Sequence, residues 1–319
     1  MKKGKLYYRY KAFNTRTIEL LCNDTMYFAN PSSFNDPLDS SFVIVYDSED
    51  INEIRHLYSV LLKRRRESEI LLNFKNAKVN DKKAHEFAIK RTEIEAQEHL
   101  NDIAYFATDT ESYNSITEEQ AEKKILLSRI EVEIHKHYTR GVACFSSSYA
   151  SPVLWSHYGD QHKGICIGYS TNRNPIRIMN TVIYGDSRSI NMSTLIDAFL
   201  HDDKKAQSDL DRDVLLRKAK EWKYEKELRL IDQQGNQDSP LLLTEIIFGL
   251  CCSDVVKHTI MKALEMLIPK VRFYQIQTTP NSYTLKRKTY NNGEYGDYFP
   301  KTAKSANESF DPVFEDTEI

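Results

Sequence analysis

The chain has 319 residues, near the upper limit for a single hydrophobic core. Its hydrophobic fraction of 40% is too high for a disordered chain, and 44 Lys and Arg against 46 Asp and Glu leave a net charge of −2. That balance excludes a strongly basic nucleic-acid binder while leaving room for a local basic groove, and no run of about 18 apolar residues predicts a membrane span.

The start, Met1-Lys2-Lys3-Gly4-Lys5, turns at once into Leu6-Tyr7-Tyr8-Arg9-Tyr10, with no apolar stretch of the secretory kind. The five cysteines, Cys22, Cys144, Cys166, Cys251 and Cys252, lie mostly in apolar runs and show no ligand spacing. Reduced core thiols, a cytoplasmic location and no metal site are expected.

Residues 5–48 read as strands and turns. Aromatic residues at 6–10 suit a strand, a short helix is expected at 17–23, and a strand at 26–29 runs into Asn30-Pro31-Ser32-Ser33. The turn-rich Phe34-Asn35-Asp36-Pro37-Leu38-Asp39 precedes a strand at 41–46. From 50 to 138 the chain is charge-dense, with Leu61, Leu62, Leu71, Leu72 and Ala96 at helical spacing and no Pro or Gly between Pro37 and Gly141. This predicts a helical insertion of three or four helices, either structural or partner-facing.

Strand character returns at 141–170, around a short helix at 153–158, and continues at 176–184. Residues 192–220 read as helix, 222–231 as strand, 244–250 as a buried strand, 253–267 as helix, and 271–277 with 282–288 as a closing strand pair. Residues 291–319 are polar and acidic and predict a frayed tail. The expected architecture is one α+β domain over 1–290, a mixed or antiparallel-rich sheet system with the insertion at about 50–138.

Four features can carry chemistry. Arg9 lies in an aromatic strand, on the face opposite Tyr8 and Tyr10; the plain alternative is an edge or ion-pair residue. Ser146-Ser147-Ser148 follows Phe145 at a strand end, where hydroxyls can hold an arginine or a ribose, or cap a turn. Trp155-Ser156-His157-Tyr158-Gly159-Asp160-Gln161-His162 packs aromatic and imidazole groups into a Gly-punctuated loop suited to a flat ring. His157 and His162, five apart with no third ligand in view, do not form a metal signature. Finally, Trp222 to Leu230 alternates, and as a strand it places Glu225 and Glu227 on one face about 7 Å apart. A solvated face of ion pairs is the other reading of that stretch.

These segments together resemble DUF2971, a bacterial family of unknown function. The resemblance rests on Leu6-Tyr7-Tyr8-Arg9-Tyr10, Pro31 through Asp39, Cys144-Phe145-Ser146, Leu154 through Tyr158, His162 through Gly168, and Lys223 through Arg229, and covers about residues 5–290. Leu38 replaces the usual Phe and Ser156 the usual Ala. The family name implies no established activity. The order Arg9, Ser146-Ser147-Ser148, Glu225-Lys226-Glu227 also resembles the arginine-serine-glutamate ADP-ribosyltransferases, with Ser147 where that family has Thr.

The second resemblance implies an ADP-ribosyltransferase-like fold and NAD as substrate. It gives Arg9 the pyrophosphate, the serines its support, and Glu227 the catalytic carboxylate beside the ribosyl cation. Glu225 would position the acceptor, a protein or nucleic acid. Trp155, His157, Tyr158 and His162 would line the nicotinamide or adenine pocket, with Asn35 and Asp36 closing the other side. ADP-ribosyl transfer, or NAD hydrolysis, is thus the leading expectation, in a setting such as a toxin or phage-defence effector.

Two alternatives stand beside it. Asp36 or Asp39 with Glu221-Trp222-Lys223 imitates a Mg²⁺-dependent nuclease core. A non-enzymatic binding or sensor protein would use the helical insertion as its partner surface.

Overall fold

The structure is a computed structural model that describes residues 5–47, 50–79, 82–109, 113, 116–267 and 269–290. The tail at 291–319 lies outside the described residues. In chain order the first elements are β1 (Leu6–Lys11), α1 (Thr15–Cys22), β2 (Thr25–Phe28) and β3 (Val43–Val45). Three long helices follow: α2 (Ile51–Asn76), α3 (Lys82–Ala107) and α4 (Glu118–His137). Then come β4 (Arg140–Ser146), α5 (Pro152–His157), β5 (Ile165–Ser170), β6 (Asn180–Thr181), β7 (Ile183–Gly185) and β8 (Ser189–Asn191). The remainder is α6 (Met192–Phe199), α7 (Lys204–Leu215), β9 (Arg217–Ala219), β10 (Glu227–Gln233), β11 (Gly235–Asp238), β12 (Leu242–Phe248), α8 (Asp254–Ala263), β13 (Arg272–Thr279) and β14 (Ser282–Thr289).

The fold is α+β with a mixed sheet, and the chain divides into two compact units. Unit 1 holds residues 1–25, 145–177 and 238–319, and unit 2 holds 26–144 and 178–237. No helix among the described residues is long and apolar enough to cross a membrane.

Unit 1 is built on strands in the order β14-β13-β12-β5-β1. The β12 and β13 pair is parallel and the other neighbours run antiparallel. Alternation along β1 sends Tyr8 and Tyr10 into a core with Leu154, Trp155, Cys166, Ile247, Ile276 and Leu285. Gly168 is required in β5: a Cβ there would lie 2.5 Å from Cγ of Glu245, which is fully buried. Glu245 is balanced by Arg272 at 3.1 Å and by a hydrogen bond from Arg287.

Unit 2 centres on the expected insertion, whose described residues form three helices. Asp50 caps α2, and Thr117 with Gln120 forms a capping box on α4, so both helices start where the sequence offers side-chain acceptors. Ile54, Leu57, Leu61 and Leu62 of α2 meet Leu126, Ile130 and Ile134 of α4, with Ala96 and Ile103 of α3. Bidentate arginines tie the helices together: Arg55 to Glu122, Arg65 to Glu133 and Arg66 to Glu95.

Several expected elements are shorter or different. The strand expected at 176–184 is only β6 and β7, and 192–220 contains two helices and then β9. Residues 220–225 form a 3-10 turn and not a strand. All five cysteines are free, yet Cys22 and Cys251 are exposed and so are not core thiols.

Candidate functional site

The charged cluster of unit 2 begins where α7 stops at Leu215. Strand β9, paired in parallel with β7, turns Lys218 inward between Arg217 and Ala219. The 3-10 turn Lys220–Glu225 then reverses the chain, and Lys226 takes a left-handed conformation, φ 48°, before β10 starts at Glu227. A non-glycine residue there costs roughly 1–2 kcal/mol. The reversal brings Glu225 and Glu227 onto one cation: Lys218 Nζ lies 2.6 Å from Glu225 and 2.9 Å from Glu227. The two carboxylates therefore meet through a lysine across a turn, which corrects the expectation of neighbours along one strand face.

Arg229, two residues into β10, has its side chain fully buried. Its Nε donates to Glu227 at 2.8 Å, and its Nη2 donates to both oxygens of Asp39 at 2.7 Å. Nη1 donates to the Leu215 carbonyl and to Ser40 Oγ. The Phe34 ring lies 5.2 Å from the guanidinium. The segment from Phe34 to Ser40 thus folds onto β10, and Asp36 adds a second tie by accepting a 2.7 Å hydrogen bond from Trp222 Nε1.

Burial would drive Glu227, Lys218 and Arg229 toward neutrality, yet their partners keep them charged. Burial alone raises the Glu227 pKa, but the charges and hydrogen bonds of Arg229 and Lys218 overrule it and hold the carboxyl well below the usual range. Likewise burial lowers Lys218, and Glu227, Glu225 and Asp39 more than reverse the effect. Asp39, Glu225 and Glu227 are nearly inaccessible. The rim is aromatic: Trp222 is half-buried with Lys218 Nζ 5.1 Å from its ring, and Tyr224 beside it is 39% exposed. Tyr184 completes the group, its hydroxyl accepting from the Glu227 amide at 2.8 Å.

Of the residues nominated from sequence, this cluster gathers Glu225, Glu227 and Asp36, with Asp39 and Trp222 of the nuclease reading. Asn35 sits beside Asp36 and is exposed, as is Glu221 of the nuclease reading. The remaining candidates belong to unit 1. Arg9 is half-buried, its guanidinium 5.7 Å from the Phe145 ring centre. Ser146 is buried and its Oγ accepts from the Ser148 amide, while Ser147 is exposed. Trp155 is wholly inside the core, donating to the Tyr149 carbonyl, edge-on to Tyr10 and stacked on His162 at 5.9 Å. His157 is exposed and Tyr158 half-buried. His162 ends three successive left-handed residues with Asp160 and Gln161, and burial lowers its pKa.

Lys218, Arg229 and Tyr184 carry the cluster without having been nominated as site residues. Lys218 lies in Arg217-Lys218-Ala219-Lys220, which has the look of a solvated basic stretch, and only the β7–β9 pairing turns it inward. Among the described residues no group of three or more His, Cys, Asp or Glu side chains is arranged to hold a metal ion. No curated protein and no solved structure matches the chain. Residues 154–230, which carry Lys218, Trp222, Glu225, Glu227 and Arg229, match the family model described as "Protein of unknown function (DUF2971)".

Proposed function

We propose that the cluster around Glu227 is the reaction centre of an NAD-dependent ADP-ribosyltransferase, or of an NAD glycohydrolase. The observation that carries this reading is the convergence of two buried carboxylates on one lysine beside an aromatic rim. In the reaction the bond between the ribose and the nicotinamide nitrogen breaks, and its electron pair leaves with nicotinamide. An acceptor nucleophile, or water, bonds to the ribose carbon and gives up its proton.

Glu227 is the charge that faces the ribosyl cation, because Arg229 and Lys218 keep it ionised. Glu225 orients the nucleophile and receives its proton. Trp222 and Tyr224 offer a flat surface to the nicotinamide ring. Both Glu227 oxygens are occupied by Arg229 and Lys218, so the cationic end of the substrate must take the place of one of them. The reading rests on unit 2 alone, and Arg9, in unit 1, has no part in it.

A second reading is favoured by that same occupancy. A buried cluster whose charges are matched internally suits a brace in a non-enzymatic binding protein. NAD separates the two. A site for NAD raises the melting temperature with rising NAD concentration, and Glu227→Gln removes the shift. A chain that NAD leaves unmoved supports the brace.

A further inference from the structure

The near-balanced charge of the whole chain hides a division. Residues 1–25, 145–177 and 238–290, the body of unit 1, carry 16 Lys and Arg against 7 Asp and Glu, whereas residues 291–319 carry 2 against 7. The basic excess is densest on the β13–β14 hairpin. From 269 to 290 the chain has Lys270, Arg272, Lys286, Arg287 and Lys288 and no Asp or Glu. Lys270, Arg272, Lys286 and Lys288 are exposed. At the hairpin end Tyr283 is 96% exposed. Clustered cations with an aromatic ring in the open match a single-stranded nucleic acid, which asks for charge at its phosphates and a flat surface under its bases.

Two of the cations are held in place beforehand. Glu245, fully buried, engages one nitrogen of Arg272 and one of Arg287. One negative charge thus holds two positive ones, and a guanidinium has five N–H donors. Most donors of Arg272, whose side chain is 45% exposed, are left for another acceptor. Arg287 is fixed between the rings of Tyr149 and Tyr274, 4.7 and 4.4 Å from their centroids. Such ordering lowers the entropy lost when a phosphate arrives. By alternation Lys286 and Lys288 lie on the other face of β14 from Arg287, opposite Gln277 and Gln275. Among the described residues β14 ends the sheet, so a phosphate chain running along that edge meets cations from both faces. We infer that the β13–β14 hairpin of unit 1 binds single-stranded nucleic acid, with Arg272, Lys286 and Lys288 on phosphates and Tyr283 under a base. Nucleic-acid binding here is independent of the reaction at Glu227.

The test is fluorescence anisotropy of the full chain with labelled mixed-sequence RNA and DNA single strands of about 20 nucleotides, and with the same sequences as duplexes. Vesicles of anionic lipid are tried beside them, and circular dichroism confirms that each variant is folded. The wild type is expected to bind the single strands with a Kd between about 1 and 100 µM at about 50 mM salt, and duplexes and vesicles more weakly. Tyr283→Ala should weaken single-strand binding about tenfold, and Tyr283→Phe should keep it. Lys286→Ala with Lys288→Ala should lower the slope of log affinity against log salt by about 0.7 for each lysine. Lys82→Ala with Lys83→Ala, two exposed lysines of α3, should leave that slope as it is. A chain that binds no single strand at about 100 µM overturns the inference and leaves the lysines as guards of an open strand edge. So does tighter binding to duplex or vesicles. Single-strand binding unmoved by Tyr283→Ala or by the hairpin lysine pair, or weakened as much by the α3 pair, overturns it too.

Discussion

Lys218 and Glu227, nine residues apart in sequence and both buried, face each other at 2.9 Å in unit 2, with Glu225 sharing the same ammonium at 2.6 Å. The physical demand on this arrangement is severe. Each charge has left water, and only its partners keep it in place. Consequences for stability follow from that, independently of what the site does.

Removing the lysine takes one cation from three buried carboxylates, Asp39, Glu225 and Glu227, and leaves Arg229 as the cation beside Asp39 and Glu227. Lys218→Met keeps much of the side-chain volume but none of the charge. It should cost roughly 3–5 kcal/mol, measured as a shift in the urea midpoint. Adding Glu227→Gln to it should cost less than the sum of the single changes, since one of the carboxylates left in excess is then removed.

Acid should open the same cluster. The Glu227 carboxyl is held below its unfolded value of about 4.3, so its contribution is present above that value and is lost as pH falls through the lower, folded one. Wild-type stability should therefore fall steeply below about pH 4.3, and the slope should be shallower in Glu227→Gln. Equal slopes in urea titrations across that range would show that Glu227 is not held ionised by folding.

The tie between the Phe34 to Ser40 segment and the 3-10 turn rests on one indole donor to a carboxylate. Trp222→Phe keeps the ring and removes the N–H. A loss of roughly 1.5–3 kcal/mol is expected for a hydrogen bond to a charged group, reduced to the extent that water reaches Asp36. Faster protease cleavage within residues 34–40 should accompany it.

In unit 1 the room for Glu245 depends on one missing methyl group. Gly168→Ala would place its Cβ 2.5 Å from Cγ of Glu245, whose position is fixed by Arg272 and Arg287. Overpacking of about 1–3 kcal/mol is expected by thermal or urea melting. No loss at all would mean that Glu245 moves freely.

How much of this was legible in the sequence differs from element to element. The helices α2 to α4 were, because a hundred residues without Gly or Pro and apolar groups at helical spacing are local signals. The face of Arg9 opposite Tyr8 and Tyr10 followed from alternation alone. Residues 222–225 misled, because Trp222 and Tyr224 alternate with charges as a strand does, while the left-handed turn at Lys226 rests on a non-glycine residue that gives no warning. Glu225 and Glu227 were recognised as a pair, but what joins them was not. Lys218 reaches them only through a parallel strand pairing and a chain reversal, and neither leaves a mark in local pattern.

The account's central claim is that Glu227 faces a sugar cation. Its most direct test is the release of nicotinamide from NAD by the full chain, compared between the wild type and Glu227→Gln at equal folding by circular dichroism, with Glu221→Gln alongside. The account predicts turnover by the wild type, a loss of about 10²–10³ in rate for Glu227→Gln, and little change for the exposed Glu221→Gln. Nicotinamide release that survives Glu227→Gln, or a folded wild type that releases none, would contradict it.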